Sequence, residues 1–152
     1  MSGKRKTDSV EKLLALIEKT FGIPRKSFQN FLIYERRKGE FWITTHEAHQ
    51  FEFPASARYG FKFAQTYRDR FRLSTAAVQT FGHLATTNFV ELEREEMEKF
   101  IRGENLPNRW NGIKGQVIVK YRGIPLGSAV VTEGILKNQI PRARKIKAPL
   151  TG

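Results

Sequence analysis

The sequence contains no cysteine. Disulfide bonds, zinc sites built on thiolates and a thiol nucleophile are therefore excluded by inventory. No stretch approaches the roughly 18 consecutive apolar residues of a membrane-spanning helix, and the N-terminal residues lack the apolar core of a signal peptide. We therefore expect a soluble, cytoplasmic protein that has no membrane partner.

Acidic residues are scarce. The 152 residues include 27 lysines and arginines against 15 aspartates and glutamates, which gives a formal net charge of +12. The cations are segregated: they number 15 against 8 acids in residues 1–72, 3 against 6 in residues 73–104, and 9 against 1 in residues 105–152. Because such a charge attracts polyanions, nucleic acid is the leading candidate partner.

The first half of the chain predicts a small α+β domain. Apolar residues recur at helical spacing near the N-terminus and predict a first helix, which a capping box of Asp8 and Glu11 would start. "PRKSFQNF" predicts a short second helix, and "FLIYERRKGEFWITT" predicts a hairpin with Gly39 in its turn. "ARYGFKFAQ" predicts a strand with one wet face, which "YRDRFRLS" would continue in the same register.

The second half is richer in strands. Ser74 is placed to cap a helix over "TAAVQTFG", "FVEL" predicts a short strand, and "EREEMEKFIRG" predicts a helix whose first glutamates suit the helix dipole. "QVIVKY" and "IPLGSAVV" predict two strands around "RG". We expect two domains, residues 1–75 and 76–152.

Two cationic clusters are candidates for phosphate contact. The middle cluster lies beside the aromatics of the predicted strand and comprises Arg58, Lys62, Arg68, Arg70 and Arg72. The tail cluster is interleaved with Asn138 and Gln139, which could read a base edge, and comprises Lys137, Arg142, Arg144, Lys145 and Lys147. The alternatives are a solvated, frayed basic end and a strand whose phenylalanines pack in the core, with Tyr59 and Tyr67 better placed than the phenylalanines to stack on a base.

The C-terminal half resembles a known module. Three landmarks carry the resemblance: "FIRGENL", "YRGIPLGSAVV" and "LKNQIPRARK". Together they are similar to a PUA domain, and more closely to the C-terminal PUA-like region of Sun-family RNA cytosine-5 methyltransferases. The arrangement of a preceding α+β domain also resembles the small two-domain PUA-containing ribosome-biogenesis factor.

The resemblance implies an N-terminal α/β domain followed by a PUA-like β-pseudobarrel with flanking helices. It implies binding of structured rRNA or tRNA, and as a further partner an RNA methyltransferase or a ribosome-assembly protein. Carried onto this sequence, the implied RNA-binding residues are Arg102, Gly103, Lys114, Gly115, Lys137, Asn138, Arg142 and Arg144, and to these the charge pattern adds Lys145, Arg68, Arg70 and Arg72. The stretch "GENLPNRWNGIKG" is longer than the family's usual glycine-rich turn, and its Trp110 could stack on a base or serve as a buried hinge.

Motifs for catalysis are missing from the sequence. There is no glycine-rich dinucleotide or phosphate loop, and the only aspartates are Asp8 and Asp69. His46 and His49 have a spacing that could share a metal, and Ser74 with His83 could be a nucleophile and base, but neither pair has a third partner. We expect no cofactor, no metal and no enzymatic activity, with an adaptor that docks onto another protein as the alternative function.

Overall fold

The computed structural model describes residues 2–46 and 60–141. The chain divides into two compact units, Met1–Ala77 and Val78–Gly152. The fold is mixed α+β, as the sequence predicts. In the described part of the chain, no helix is long and apolar enough to cross a membrane.

The N-terminal unit packs one long helix against an antiparallel sheet. Helix α1 (Ser2–Phe21) and a 3-10 turn (Arg25–Phe28) are followed by strands β1 (Phe31–Arg37), β2 (Glu40–Thr45), β3 (Phe61–Tyr67) and β4 (Arg70–Leu73). Within the described residues the strands pair in the order β1-β2-β3-β4. β4 is therefore an edge strand of this sheet.

The core of this unit lies between α1 and one face of the sheet. The predicted stripe on α1 is buried, with Ile17 and Phe21 fully so, because residues three and four apart share a helix face. Phe21 meets Phe71 of β4 edge to face at 6.0 Å between ring centroids. Phe28 meets Phe63 of β3 in the same way at 5.5 Å. These phenylalanines therefore belong to the core, which is the alternative to base stacking considered for them above.

Two local predictions for the N-terminal unit are wrong. Helix α1 begins at Ser2, so Asp8 lies inside the helix and does not cap it. "YRDRFRLS" does not continue the preceding strand, because the chain reverses at Arg68 and Asp69 and β4 pairs antiparallel with β3. Arg68 adopts a left-handed φ of 57° in this turn.

The C-terminal unit is built on a second sheet. It contains α2 (Thr75–Phe81, which begins in the first unit), a 3-10 turn (Gly82–Leu84), β5 (Phe89–Glu91), α3 (Arg94–Ile101), β6 (Leu106–Pro107), β7 (Gln116–Tyr121), β8 (Ile124–Thr132) and β9 (Ile135–Asn138). Among the described residues the sheet order is β5-β7-β8-β9-β6. Of these four strand pairs, β5–β7 is parallel and the other three are antiparallel. This arrangement is compatible with the predicted PUA-like pseudobarrel.

One face of the second sheet carries the core of that unit. Val117 and Val119 of β7, Ala129 of β8 and Leu136 of β9 are fully buried and pack with Phe100 of α3. Because successive side chains of a strand point to opposite faces, the intervening residues of β7, β8 and β9 lie on the other face of the sheet. β9 was not predicted, and it turns the start of the basic tail into a paired strand.

Candidate nucleic-acid interface

The loop that carries Lys114 and Gly115 is held by the side chain of Asn88, a role that no sequence pattern indicates. The Lys114 backbone N–H donates to Asn88 Oδ1 at 3.0 Å, and Asn88 Nδ2 donates to the carbonyl oxygens of Lys114 at 3.0 Å and Gln116 at 2.7 Å. Asn88 itself has a φ of 56°, a conformation that asparagine tolerates better than most residues. The amide therefore fixes the loop at the start of β7.

The backbone of this loop is accessible. Gly112 and Gly115 have φ values of 78° and 66°, and a Cβ added at either would meet no atom within 4 Å. Glycine supplies the left-handed conformation without strain, and the open space lets another chain approach the main chain closely. Lys114 is exposed beside this opening.

A second group of predicted residues surrounds the end of α3. Gly103, with a φ of 92°, donates its N–H to the carbonyl oxygen of Phe100 at 2.9 Å. Arg102 is exposed and donates from Nε to Glu104 at 3.2 Å. Asn138 joins β9 to this helix end, because its Nδ2 donates to the carbonyl oxygens of Phe100 at 2.8 Å and Glu104 at 3.0 Å.

Lys137 and Asn138 point to opposite faces of β9. Lys137 pairs with Val130, which pairs with Gln116, so these three residues share the face away from the core. Asn138 pairs with the buried Ala129 and accepts the N–H of Ile140 at Oδ1, 2.8 Å away. The donors and acceptor of its amide are thus used within the protein, whereas Lys137 is exposed.

Gln139 belongs to a small polar cluster on the Lys137 face. Its Oε1 accepts from Ser128 Oγ at 2.8 Å and from Gln116 Nε2 at 3.1 Å. Ser128 is buried, at 2% exposure. The cluster therefore fixes the side chain of Gln139, and within the part of the chain that the structure describes its amide N–H groups donate to no residue.

Trp110 is partly buried and packs against the core cluster. The Arg109 guanidinium lies over its ring at 4.3 Å from the centroid. Arg109 also donates two hydrogen bonds of 2.8 Å to Glu96 of α3. The long loop before β7 is thus attached to α3 beside Trp110.

The Glu96 carboxylate gives this attachment a pH dependence. The hydrogen bonds from Arg109 hold the pKa of Glu96 below its ordinary value of 4.5, and burial opposes them. A carboxylate with a lowered pKa contributes stability that is present above its ordinary pKa and is lost as the pH falls through its folded-state pKa. We expect Glu96→Gln to lower the melting temperature by a few degrees at pH 7, with a difference from the unmodified chain that narrows as the pH falls below 4.5 and through the lowered pKa of Glu96.

Glu98→Gln is the matched control for that measurement. Glu98 lies on the same helix, is 47% exposed and faces Arg94 at 3.7 Å. An exposed pair of this kind contributes little, so its loss should leave the melting temperature nearly unchanged. A Glu96 effect that persisted unchanged at pH 3 would contradict the electrostatic origin.

The structure separates the predicted residues of the middle cluster. Tyr67 pairs with Arg70 and Gln65 pairs with Arg72, so these four side chains share one face of the N-terminal sheet. Arg68 instead lines, with Asp69, a groove of about 470 Å³ beside α1.

Several predicted residues lie outside the described residues, namely Arg58, Arg142, Arg144, Lys145, Lys147 and His49. His46 is exposed, and no group of three or more metal-ligating side chains occurs in residues 2–46 and 60–141. The hydroxyl of Ser74 donates to the Lys62 carbonyl oxygen at 2.6 Å and accepts the N–H of Ala77 at 3.0 Å, as the predicted cap requires.

Residues 87–146 match the family model described as the methyltransferase RsmF PUA domain. The predicted resemblance to a methyltransferase PUA domain is confirmed. The matched segment includes the Lys114 loop, β7, β8 and β9. The PUA-like half of the chain is therefore the part that these comparisons define most closely.

Curated relatives extend the similarity to the rest of the chain. Ribosomal RNA small subunit methyltransferase F of Aeromonas salmonicida (strain A449) is 29% identical over 135 residues, which cover 87% of this chain and 27% of that protein. The protein of the same name from Shewanella sp. (strain MR-4) is 31% identical over 114 residues, which cover 70% of this chain and 24% of that protein. The chain spans about a quarter of the length of these relatives.

The prediction that the protein is not an enzyme is wrong in the light of these relatives, which are named as methyltransferases. That prediction relied on motifs missing from the 152 residues. Because the chain corresponds to about 27% of such a protein, motifs missing from it exclude no activity of the whole.

Proposed function

We propose that the C-terminal unit binds structured ribosomal RNA and takes part in its modification. The observation that carries this proposal is the match of residues 87–146 to a PUA domain of an RNA methyltransferase. The relatives are named for the RNA of the small ribosomal subunit, so that RNA is the first one to test. The basic composition of residues 105–152 supports the same partner, because cations neutralise phosphates.

The Lys114 loop and Lys137 are the proposed centre of the contact. Gly112 and Gly115 leave room at the backbone, and Lys114 and Lys137 offer exposed ammonium groups. In the described part of the chain neither lysine has an ion-pair partner. Arg102 with Gly103, and from the sequence Arg142, Arg144 and Lys145, extend the proposed surface. Asn138 has a positioning role within it.

A structured RNA with an unpaired element is the expected target class. Duplex RNA hides its base edges in a deep, narrow groove, whereas loops, bulges and ends display them. The amide N–H groups of Gln139 are the proposed base-reading donors on this surface. A tRNA serves as the comparison ligand, since the sequence resemblance allows either RNA.

The test measures affinity for small-subunit rRNA fragments across a salt series. Each phosphate contact contributes roughly 0.7–0.9 to the slope of log K against log salt concentration. We expect the double variant Lys114→Gln/Lys137→Gln to lower the affinity and to reduce that slope by about 1.4–1.8, which corresponds to two lost contacts. The measurement is fluorescence anisotropy with a labelled rRNA hairpin.

Arg94→Gln is the control for the loss of a positive charge. Arg94 is 80% exposed and lies on the acidic helix α3, where it faces Glu98. We expect its replacement to leave both affinity and slope nearly unchanged. Equal effects of the two variants, or equal binding of the unmodified chain to heparin and to rRNA, would count against the proposal.

We further propose that the chain presents RNA to a methyltransferase activity, on the same polypeptide or on a separate one. The relatives unite this segment with the rest of a methyltransferase, which favours such a role. Co-purification of a methyltransferase that survives nuclease and high salt would support a separate enzyme. Loss of that enzyme on nuclease treatment would leave RNA as the only link.

A further inference from the structure

The N-terminal sheet has an exposed face outside the segment that matches the PUA domain. α1 covers the face that carries Phe41 and Thr66, and Phe71 packs on α1 from the same side. The opposite face presents Gln65 and Tyr67 from β3 and Arg70 and Arg72 from β4. Among the described residues, this face therefore places the aromatic side chain of Tyr67 next to the cationic side chains of Arg70 and Arg72.

Tyr67 is an exposed aromatic residue on this face. Its exposed fraction is 54%, which is high for a large apolar side chain at the end of a paired strand. Its partner across the hairpin is Arg70. An exposed tyrosine ring can stack on an unpaired base, and such stacking tolerates any base because each has a π face.

The arginines beside Tyr67 are exposed cations. Arg70 and Arg72 are both exposed, and in the described ranges neither guanidinium has an ion-pair partner. They stand two residues apart on one strand and therefore project in the same direction. A planar guanidinium binds phosphate in a bidentate manner, so the pair is suited to a sugar-phosphate backbone.

The same face continues inward from the edge strand. Glu40 of β2 is the cross-strand neighbour of Gln65, and its Oε2 lies 3.8 Å from Lys62 Nζ. This acidic side chain is therefore already in an ion pair. Trp42, two residues further along β2, lies under the Arg36 guanidinium at 4.7 Å. The face thus carries both aromatic and cationic groups, and the two arginines that have no ion-pair partner among the described residues lie on β4.

We propose that this face, defined by Gln65, Tyr67, Arg70 and Arg72, is a second RNA-binding surface that holds a single-stranded segment. Tyr67 stacks on a base, and Arg70 with Arg72 contacts the adjacent phosphates. The inference goes beyond the proposed function, which concerns the C-terminal unit, and shares with it the identity of the ligand as RNA. An unpaired segment fits better than a duplex, because a duplex has no free base for the ring.

The test uses the 152-residue chain and a labelled oligouridine of about 12 nucleotides, a length within the range that one single-strand site covers. We expect Tyr67→Ala to weaken binding by about 5- to 150-fold, the range that base stacking on one aromatic ring provides, and Tyr67→Phe to retain most of the affinity. The double variant Arg70→Gln/Arg72→Gln should reduce the salt slope by about 1.4, the value for two single-strand contacts.

The double variant Lys12→Gln/Lys19→Gln is the matched control, because it also removes two exposed positive charges from the N-terminal unit, but beside the groove next to α1. It should leave oligouridine binding nearly unchanged. Circular dichroism checks that every variant is folded. Equal losses for the Lys12/Lys19 variant and the Arg70/Arg72 variant, or full affinity of Tyr67→Ala, would overturn the inference.

The outcomes separate this inference from the proposed function. If Lys114→Gln/Lys137→Gln weakens the rRNA hairpin while the Tyr67 and Arg70/Arg72 variants bind both RNAs normally, the second surface is refuted and the first stands. If Tyr67→Ala weakens oligouridine binding but Lys114→Gln/Lys137→Gln leaves rRNA binding unchanged, the Lys114 and Lys137 surface is refuted and the second surface stands. Equally strong, Tyr67-independent binding to anionic vesicles or heparin would show a general polyanion surface and refute the inference.

Discussion

Replacing Asn138 by alanine should destabilise the C-terminal unit by about 2–4 kcal/mol, since three hydrogen bonds are lost and their partners are left partly buried. Two of those partners are the carbonyl oxygens of Phe100 and Glu104 at the end of α3, and the third is the N–H of Ile140. The measurement is chemical unfolding in urea, followed by fluorescence.

The neighbouring residue supplies the control. Lys137→Gln alters an exposed side chain that points away from the core, so it should leave the unfolding free energy within about 0.5 kcal/mol. We expect the two variants to have different effects: Asn138→Ala should lower the unfolding free energy, and Lys137→Gln should lower RNA affinity. An Asn138→Ala chain of normal stability that bound RNA weakly would instead place this amide in direct contact with RNA.

The different roles of Lys137 and Asn138 explain why the prediction of a single RNA-binding surface in the tail was too simple. Adjacent residues of a strand project to opposite faces, but Lys137, Asn138 and Gln139 form one run of polar and cationic residues in the sequence. β9 follows β8 directly across the turn at Glu133 and Gly134, and it also pairs with β6, which is distant in sequence. Its four residues, "ILKN", are too short a run to indicate a strand on their own. Once the strand exists, Lys137 and Asn138 acquire different roles.

Elements with strong local signals were predicted well. The α1 stripe and the Gly39 hairpin have fixed periodicity and turn chemistry, and the Ser74 cap has a defined offset to Ala77. All three are present in the structure. The start of α1 has no comparably local signal: the predicted Asp8 cap is wrong because α1 extends further toward the N-terminus.

The geometry of the candidate interface was less predictable. Asn88 precedes the residues that it holds by 26 positions or more, and a single asparagine in a polar stretch gives no sign of such a role. Arg68 and Arg70 are two residues apart, yet a tight turn between β3 and β4 sends them to different surroundings. Sequence therefore indicated which residue types would meet RNA, while pairing decided which of them share a surface.

The second large effect should come from Gly60→Ala. Gly60 has a φ of 72°, and a Cβ there would lie 1.9 Å from the carbonyl oxygen of Ile43. Ile43 pairs with the next residue, Phe61, so relief of the clash requires the β2–β3 ladder to separate. We expect the N-terminal unit to lose more than about 4 kcal/mol, beyond the range of ordinary substitutions.

Gly134→Ala separates steric clash from backbone strain. Gly134 has a similar φ of 79°, but a Cβ there meets nothing within 4 Å, so its replacement should cost only the 1–2 kcal/mol or so of a left-handed L-residue. The two tryptophans allow each unit to be followed by itself, because Trp42 lies in the first and Trp110 in the second. Comparable losses for both variants would show that backbone strain, and not the clash, dominates.

Gly60→Ala also tests how RNA binding at each of the two proposed surfaces depends on the folding of its unit. Because Tyr67, Arg70 and Arg72 form one face only while β3 and β4 are paired, unfolding of the N-terminal sheet should abolish oligouridine binding. The Lys114 loop depends on Asn88, so binding of the rRNA hairpin should persist if the Trp110 signal shows the C-terminal unit still folded. Retention of oligouridine binding by an unfolded N-terminal unit would mean that charge alone, without the arranged face, accounts for the contact.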